Sequence, residues 1–301
     1  MLALFEALRP TQWIKNLNLF AAAILSGKVF EPITFIQSIA AFFTFCFLSS
    51  SSYLVNDLAD AKNDRLHPVK KNRPIARGDV SFDTAIFTAI LLLIVGLALA
   101  FFINITFFYI SLLFIVLQYF YSFVLKKKAV IDIIGIAFFF ILRAFAGEIA
   151  TGYHLPIWIM LTVIFLSLFI ASGKRRSELS SVGKKSRLAL GGYGKSLLSF
   201  YITMFAVCTL ISYAMFTFLA QPLQFDGRLH NFLLQNYPSA LDRKWYMLTL
   251  MPVIFGIMRY GQIIFELADG ERPERIVTTD IPLIFSILIW GLMMMSILYV
   301  I

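Results

Sequence analysis

Residues 85–125, AIFTAILLLIVGLALAFFINITFFYISLLFIVLQYFYSFVL, contain no Asp, Glu, Lys or Arg. A helix needs about 20 mostly apolar residues to cross the hydrocarbon core, so this run is read as two spans folded back at Asn104–Thr106. Continuous apolar character, rather than ten-residue alternation, selects helices over barrel strands, because backbone in lipid must satisfy its own hydrogen bonds. The same test carried outward gives nine candidate spans, at 17–33, 34–56, 81–102, 105–125, 129–150, 155–173, 196–219, 244–265 and 279–301. The predicted fold is all-α, a polytopic membrane helix bundle of about nine transmembrane helices. A single integral membrane domain over 1–301 is expected, since the polar segments 57–80, 174–195 and 220–243 are too short to bury cores of their own.

Composition supports the same class. Of the 301 residues 59% are hydrophobic and 14% charged, with mean hydropathy +0.82, against roughly 25% charge in a soluble domain. A net charge of +9 on so apolar a chain suggests loops held against anionic lipid or phosphate, and nucleic acid is not an expected partner. In the nine-helix arrangement twenty of the 26 Lys and Arg fall on one side and four on the other. The positive-inside rule then places the N-terminus and the active site at the cytoplasmic face of the cell membrane. Residues 1–15 mix Glu6, Arg9 and Lys15 with Leu, Phe and Trp13; they lack the pattern of a cleaved signal and read as a retained interfacial helix. Cys46 and Cys208 lie in apolar runs, which supports neither a disulfide nor a metal–thiolate site. His67, His154 and His230 lack metal-ligand spacing. Gly194-Lys195-Ser196 resembles the end of a phosphate-binding P-loop, but Ala189 stands where the first glycine is required.

The chemistry concentrates at the end of the second helix, in SSYLVNDLADAKNDRLHPVKKNRPIARG (51–78). Asp57, Asp60 and Asp64 are spaced i, i+3 and i+7, which brings them within about 60° on a helix face. Clustered carboxylates repel unless a cation is present, and Mg²⁺ prefers a few such oxygens plus substrate phosphates. Asn56 adds a neutral ligand or a hydrogen bond. The alternative is a solvated helix end whose acids pair with Lys62, Arg65, Lys70, Lys71, Arg73 and Arg77. A second charged run, Ser172-Gly173-Lys174-Arg175-Arg176-Ser177-Glu178, ends the sixth helix on the same side. Two such ends could face one cavity, with Lys174, Arg175 and Arg176 gripping phosphates; alternatively Lys174 and Glu178 form an i, i+4 pair and the rest is topogenic charge. Arg143 lies about 16 Å deeper than Asp132 in the fifth helix. It should face the interior, to pair with Asp132 or Glu148 or to reach an anionic ligand.

Asn56-Asp57-x-x-Asp60-x-x-x-Asp64, followed by His67, Pro68, Lys70 or Lys71, then Arg73-Pro74-Ile75-Ala76 and Gly78, resembles the first signature of the UbiA-type intramembrane prenyltransferase superfamily. The resemblance implies nine helices and two acidic motifs, in the helix 2–3 and helix 6–7 loops, that bind Mg²⁺ and a diphosphate. The second motif departs from this pattern, with Gly173-Lys174-Arg175-Arg176-x-Glu178 where acids are usual. That departure is similar to the decaprenyl-phosphate phosphoribosyltransferase branch. So are Arg9-Pro10-x-x-Trp13-x-Lys15-Asn16, Asp132 to Gly147, and Pro273-Glu274-Arg275-Ile276-Val277.

The resemblance implies Mg²⁺-dependent transfer of 5-phosphoribose from phosphoribosyl diphosphate to polyprenyl (decaprenyl) phosphate, with release of diphosphate. Asp57, Asp60 and Asp64 would be the catalytic acids and, with Asn56, the metal ligands. Lys15, Asn16, Asn56, Lys70, Arg73, Arg143, Lys174, Arg175, Arg176 and Glu178 would bind substrate. Homo-oligomerisation is left open. The competing enzyme reading is isoprenoid transfer to an aromatic acceptor. A transporter or non-catalytic lipid-binding protein is a further class, but a transporter should carry midplane polar groups in both halves, whereas here only Arg143 lies deep.

Overall fold

The computed structural model describes residues 2–66, 70–181, 191–220, 232, 235–237, 243–267, 270 and 273–299. Among these every regular element is helical: α1 (Leu2–Ala7), α2 (Ala21–Leu25), α3 (Pro32–Leu66), α4 (Pro74–Arg77), α5 (Phe82–Ile103), α6 (Ile105–Phe123), α7 (Ile131–Thr151), α8 (Ile157–Ser181), α9 (Lys195–Leu219), α10 (Leu250–Gln262), α11 (Pro273–Thr279) and α12 (Ile281–Tyr299). Eight helices among the described residues are long and apolar enough to cross a membrane. They match eight of the nine expected spans.

The candidate at 17–33 takes a different form. A 3-10 segment, Pro10–Phe20, runs directly into α2. Gly27 then turns with φ 75° and Pro32 opens α3. Because a 3-10 turn rises about 2.0 Å per residue against 1.5 Å in an α-helix, this shorter stretch still extends roughly 30 Å, about the thickness of a bilayer core.

The hairpin expected at Asn104–Thr106 is present. Asn104 closes α5 and caps α6, its Oδ1 accepting from the Phe107 N–H at 2.6 Å while its Nδ2 donates to the Ile149 carbonyl at 3.0 Å. Asn104 thus satisfies an orphan N–H at the start of α6 and a carbonyl in the last turn of α7, tying the hairpin to a third helix. α5 turns Phe87, Ile94 and Phe102 outward, as befits a helix whose solvent is lipid.

The described residues group into two compact units. The first comprises Met1–Ala23, Lys28–Lys126 and Leu142–Tyr153, the second Ile24–Gly27, Lys127–Ile141 and His154–Ile301. In the first, α3 is 35 residues long, about 52 Å at 1.5 Å per residue, so its last turns, bearing Asn56 to Asp64, extend past a 30 Å apolar core. Small residues let neighbours approach α3: the Ser51 hydroxyl donates to the Ala89 carbonyl of α5 at 2.8 Å, and a Cβ at Gly96 would lie 2.9 Å from Leu48.

Gly147 of α7 passes against the backbone of the 3-10 segment, where a Cβ would overlap the Leu19 carbonyl oxygen. Backbone cannot swing aside as a flexible side-chain tip can. Gly147→Ala is therefore expected to cost about 2–3 kcal/mol by overpacking, read as a lowered Tm in detergent; an unchanged Tm would show that this contact gives way freely.

In the second unit Phe169, Ile202, Tyr260, Ile264 and Leu283 form one apolar cluster. Asp280 caps the last helix, accepting from the Leu283 N–H at 3.0 Å and pairing with Arg259 at 2.8 Å. The Arg259 hydrogen bond, followed by the Leu283 N–H, lowers the Asp280 pKa despite the opposing effect of burial. Because the folded value lies below the ordinary ~3.9, the stabilisation is complete above pH 4 and is lost as pH falls through the folded pKa. Asp280→Ala should cost about 1 kcal/mol at pH 7 and less at pH 3, measured by thermal melting at both. An equal loss at the two values would mean that the carboxylate charge contributes nothing.

Candidate active site

The acid run lies on unbroken helix, and its members divide by angle. Asp57 and Asp64, two turns apart, share one edge of α3; Asn56 and Asp60, one turn apart, share the adjacent edge. Asp57 and Asp64 are each only 3% exposed, a burial that carboxylates tolerate only with partners. Arg9 gives one nitrogen to both oxygens of Asp57, its Nη2 lying 2.6 and 2.8 Å from them. Arg73 Nη1 reaches both carboxylates at once, 3.0 Å from Asp57 Oδ1 and 2.7 Å from Asp64 Oδ2. On the other edge Lys126 Nζ donates to Asn56 Oδ1 at 3.2 Å and to Asp60 Oδ2 at 3.0 Å.

The expected metal set thus forms two pairs, each bridged by a side-chain cation. Among the described residues no three His, Cys, Asp or Glu side chains form a ready metal-binding group. Pairing of the acids with loop cations, the alternative weighed on sequence, holds for Arg73.

Two cations here were outside the expected site. Arg9 comes from the turn after α1, with a left-handed backbone, φ 54°, and its guanidinium also lies over the Tyr53 ring at 5.1 Å. A non-glycine residue held in that region marks a backbone constrained by its surroundings. Burial opposes the Arg9 charge, but Asp57 outweighs it and holds the guanidinium pKa above its ordinary value. Lys126 follows the charge-free run; a lysine just after a span reads equally well as topogenic charge, so nothing local sets it apart from Lys127 or Lys128.

The other expected residues of this unit have different hydrogen-bond partners. Lys15 donates to Gln12 of its own segment. Asn16, 1% exposed, accepts from Arg143 Nε at 2.7 Å and donates to Cys46 Sγ at 3.3 Å. Arg143 is 3% exposed and stands over the Phe114 ring at 4.9 Å, so Asn16 and Arg143 join helices within the bundle. Lys70 lies exposed on the 3-10 turn Lys70–Asn72.

In the second unit Arg175 is 1% exposed and Asp132 fully buried, with Arg175 Nε 2.7 Å from Asp132 Oδ2 as a close charge contact. Glu178, one turn on, also pairs with Arg175. Tyr193 donates to Asp132 Oδ1 at 2.5 Å and accepts from the Val130 N–H at 2.5 Å. Burial, then the bond to Asp132, push the phenol above its ordinary range, so it remains a donor. Val130 itself has φ 66°, strained for a β-branched residue. Arg175 therefore ties α8 to the start of α7. Arg176 points elsewhere, donating to the Ser199 hydroxyl and the Ile264 carbonyl, each at 3.2 Å, with Phe265 beneath it at 4.0 Å. Lys174 is half-buried on the same turn of α8.

Deeper in this unit Leu166, Phe169, Tyr213, Val253, Ile257 and Ile287 line a cavity of about 300 Å³. On its wall Ser286 donates to the Pro252 carbonyl and Trp290 to the Tyr213 hydroxyl, both at 2.6 Å, whereas the buried Tyr260 hydroxyl has no hydrogen-bond partner among the described residues. The rest of the lining is mostly apolar.

The profile of the UbiA prenyltransferase family matches residues 18–225. The chain belongs to that family. It is similar to the decaprenyl-phosphate phosphoribosyltransferase of Corynebacterium glutamicum, 34% identical over 99% of this chain and 87% of that protein. It is also similar to the protein of that name from Mycolicibacterium smegmatis, 35% identical over 95% and 89%. Among solved structures, a UbiA homolog from Archaeoglobus fulgidus bound to GPP and Mg²⁺ superposes with a TM-score of 0.71 at 23% identity, covering 97% of this chain and 96% of that one. The protein is thus a multi-pass membrane transferase of the UbiA type.

Proposed function

We propose that the protein transfers 5-phosphoribose from phosphoribosyl diphosphate to a polyprenyl phosphate. The observation that carries this reading is the second motif, where Lys174 and Arg176 flank an Arg175 already committed to Asp132 and Glu178. A site for a plain prenyl diphosphate would call for acids there; a donor with an additional 5-phosphate suits cations, and Lys174 is assigned to phosphate recognition, joined by Arg176 if that side chain releases Ser199 and the Ile264 carbonyl. The relatives named as decaprenyl-phosphate phosphoribosyltransferases support the same donor and acceptor.

Mg²⁺ suits the donor set of the first unit, because two buried carboxylates already share one cationic nitrogen of Arg73. Asp57 and Asp64, with Asp60 and Asn56, would hold the ion, which supplies charge stabilisation to the departing diphosphate. Arg9, Arg73 and Lys126 are the cations available to its oxygens, as donors pre-positioned for developing negative charge. The bond from the anomeric carbon to the diphosphate oxygen breaks and its electron pair leaves with diphosphate. A bond to an acceptor phosphate oxygen replaces it. That oxygen is already anionic, so no side chain need remove a proton. The apolar cavity of the second unit suits a stretch of the isoprenoid chain. Reaction at the cytoplasmic face follows from the positive-inside count.

The test is purified protein with Mg²⁺, polyprenyl phosphate and ribose-labelled phosphoribosyl diphosphate. Label should pass into a lipid-extractable product. Label that stays in the aqueous phase, together with prenylation of an aromatic acceptor from a prenyl diphosphate, would replace this reading with ordinary prenyl transfer.

A further inference from the structure

We propose that Arg9, Arg73 and Lys126 are exchangeable counterions, so that the divalent cation and the diphosphate enter the acid site together and neither binds well alone. The proposal rests on assigning the acid run to a Mg²⁺–diphosphate complex and specifies how that complex is admitted.

Three carboxylates, Asp57, Asp60 and Asp64, are matched by three side-chain cations at hydrogen-bond distance. Among the described residues these six charges sum to zero. Arg73 Nη1, 3.0 Å from one buried carboxylate and 2.7 Å from the other, occupies the place between Asp57 Oδ1 and Asp64 Oδ2 that a cation shared by those oxygens would take. A bare divalent ion can take those oxygens only by expelling Arg73 and weakening the Arg9–Asp57 pair. The cluster would then carry two surplus positive charges among side chains about three-quarters buried. A diphosphate arriving alone would bring negative charge to carboxylates already paired. Arriving together, the metal takes the carboxylates while phosphate oxygens take the released guanidinium and ammonium groups. Every charge then keeps a partner, and the metal offsets half or more of the diphosphate charge, so burial penalises the joint event least. Thermodynamic linkage makes the coupling reciprocal: diphosphate tightens metal binding by the factor by which metal tightens diphosphate binding.

The experiment uses the full chain in phosphatidylcholine nanodiscs, whose lipid carries no net charge, with Mn²⁺ as the spectroscopic probe and inorganic pyrophosphate as the anion. Bound Mn²⁺ is measured by electron paramagnetic resonance, once with Mn²⁺ alone and once with the preformed Mn²⁺–pyrophosphate complex. The wild-type protein should half-saturate with the complex at a concentration at least about 30-fold lower than with the bare ion, within the usual range of coupling between sites. In Arg73→Gln the bare ion should bind at least about tenfold more tightly than in wild type and the complex more weakly, so that the two titrations converge. Arg9→Gln should move both in the same directions, and serves if Arg73→Gln does not fold.

Equal affinity of wild-type protein for the bare ion and the complex would overturn the exchange while leaving a metal–diphosphate site intact. Tighter binding of the complex with no convergence in either variant would also overturn it, since the coupling would then not run through these cations. Binding of neither form would remove the metal–diphosphate assignment itself.

Discussion

Asp57→Asn is expected to lower transfer from phosphoribosyl diphosphate by about a thousandfold, with Asp60→Asn losing tenfold to a hundredfold. The order follows from surroundings rather than residue type. Asp57 is 3% exposed and receives three charged hydrogen bonds, two from Arg9 and one from Arg73. Asparagine keeps the shape but removes the charge on which two cations and any shared metal depend. Loss of one pre-positioned electrostatic group in a site closed to water typically costs 10²–10³ in turnover. The side chain of Asp60 is about a third exposed and, among the described residues, pairs with Lys126, so water can replace part of what it supplies. Initial rates at saturating lipid acceptor, on variants with near-wild-type Tm, measure the difference. Equal losses would show that the two edges of α3 act as one metal-binding set, and a larger loss at Asp60 would exclude the buried pair as the centre.

The second large effect is structural. Asp132→Ala should destabilise the protein by about 3–5 kcal/mol, the usual consequence of stranding one member of a buried ion pair. Arg175 is 1% exposed and would lose the carboxylate 2.7 Å from its Nε while keeping its pair with Glu178. The companion is the double variant Asp132→Leu with Arg175→Met. Replacing both charges by apolar groups of similar size is often neutral, so it should recover most of the lost Tm while transfer stays impaired if α8 must present Lys174 and Arg176 in one register. Destabilisation under about 1 kcal/mol in Asp132→Ala would show that the pair does not hold the helix end.

Both predictions concern partners, and partners mark the division between what was legible in residue order and what was not. Hydropathy is local: a run such as 85–125 declares its solvent without reference to the rest of the chain, and eight long helices follow the expected spans. The hairpin at Asn104–Thr106 was legible from length alone, because a charge-free run twice the length of one span must turn near its middle. The 17–33 candidate was less so, since the length rule assumes an α-helical rise and the segment from Pro10 is drawn out as 3-10 helix. The acid run itself was visible, because i, i+3, i+7 spacing fixes direction on a helix of any context.

Sequence by itself therefore determined the membrane class, the helical fold and the carboxylates of α3, all of which depend on neighbours within a few turns. Tertiary structure alone decided which cations meet those carboxylates. Arg9 lies 48 residues from Asp57 and Lys126 lies 66 from Asp60, and many other basic residues were equally placed by composition. It also decided that Arg175, expected from sequence among the phosphate-binding cations, is buried against Asp132. The physical reason is that a buried charge is satisfied by whichever opposite charge the packing brings within about 3 Å, and packing is a property of the assembled helices.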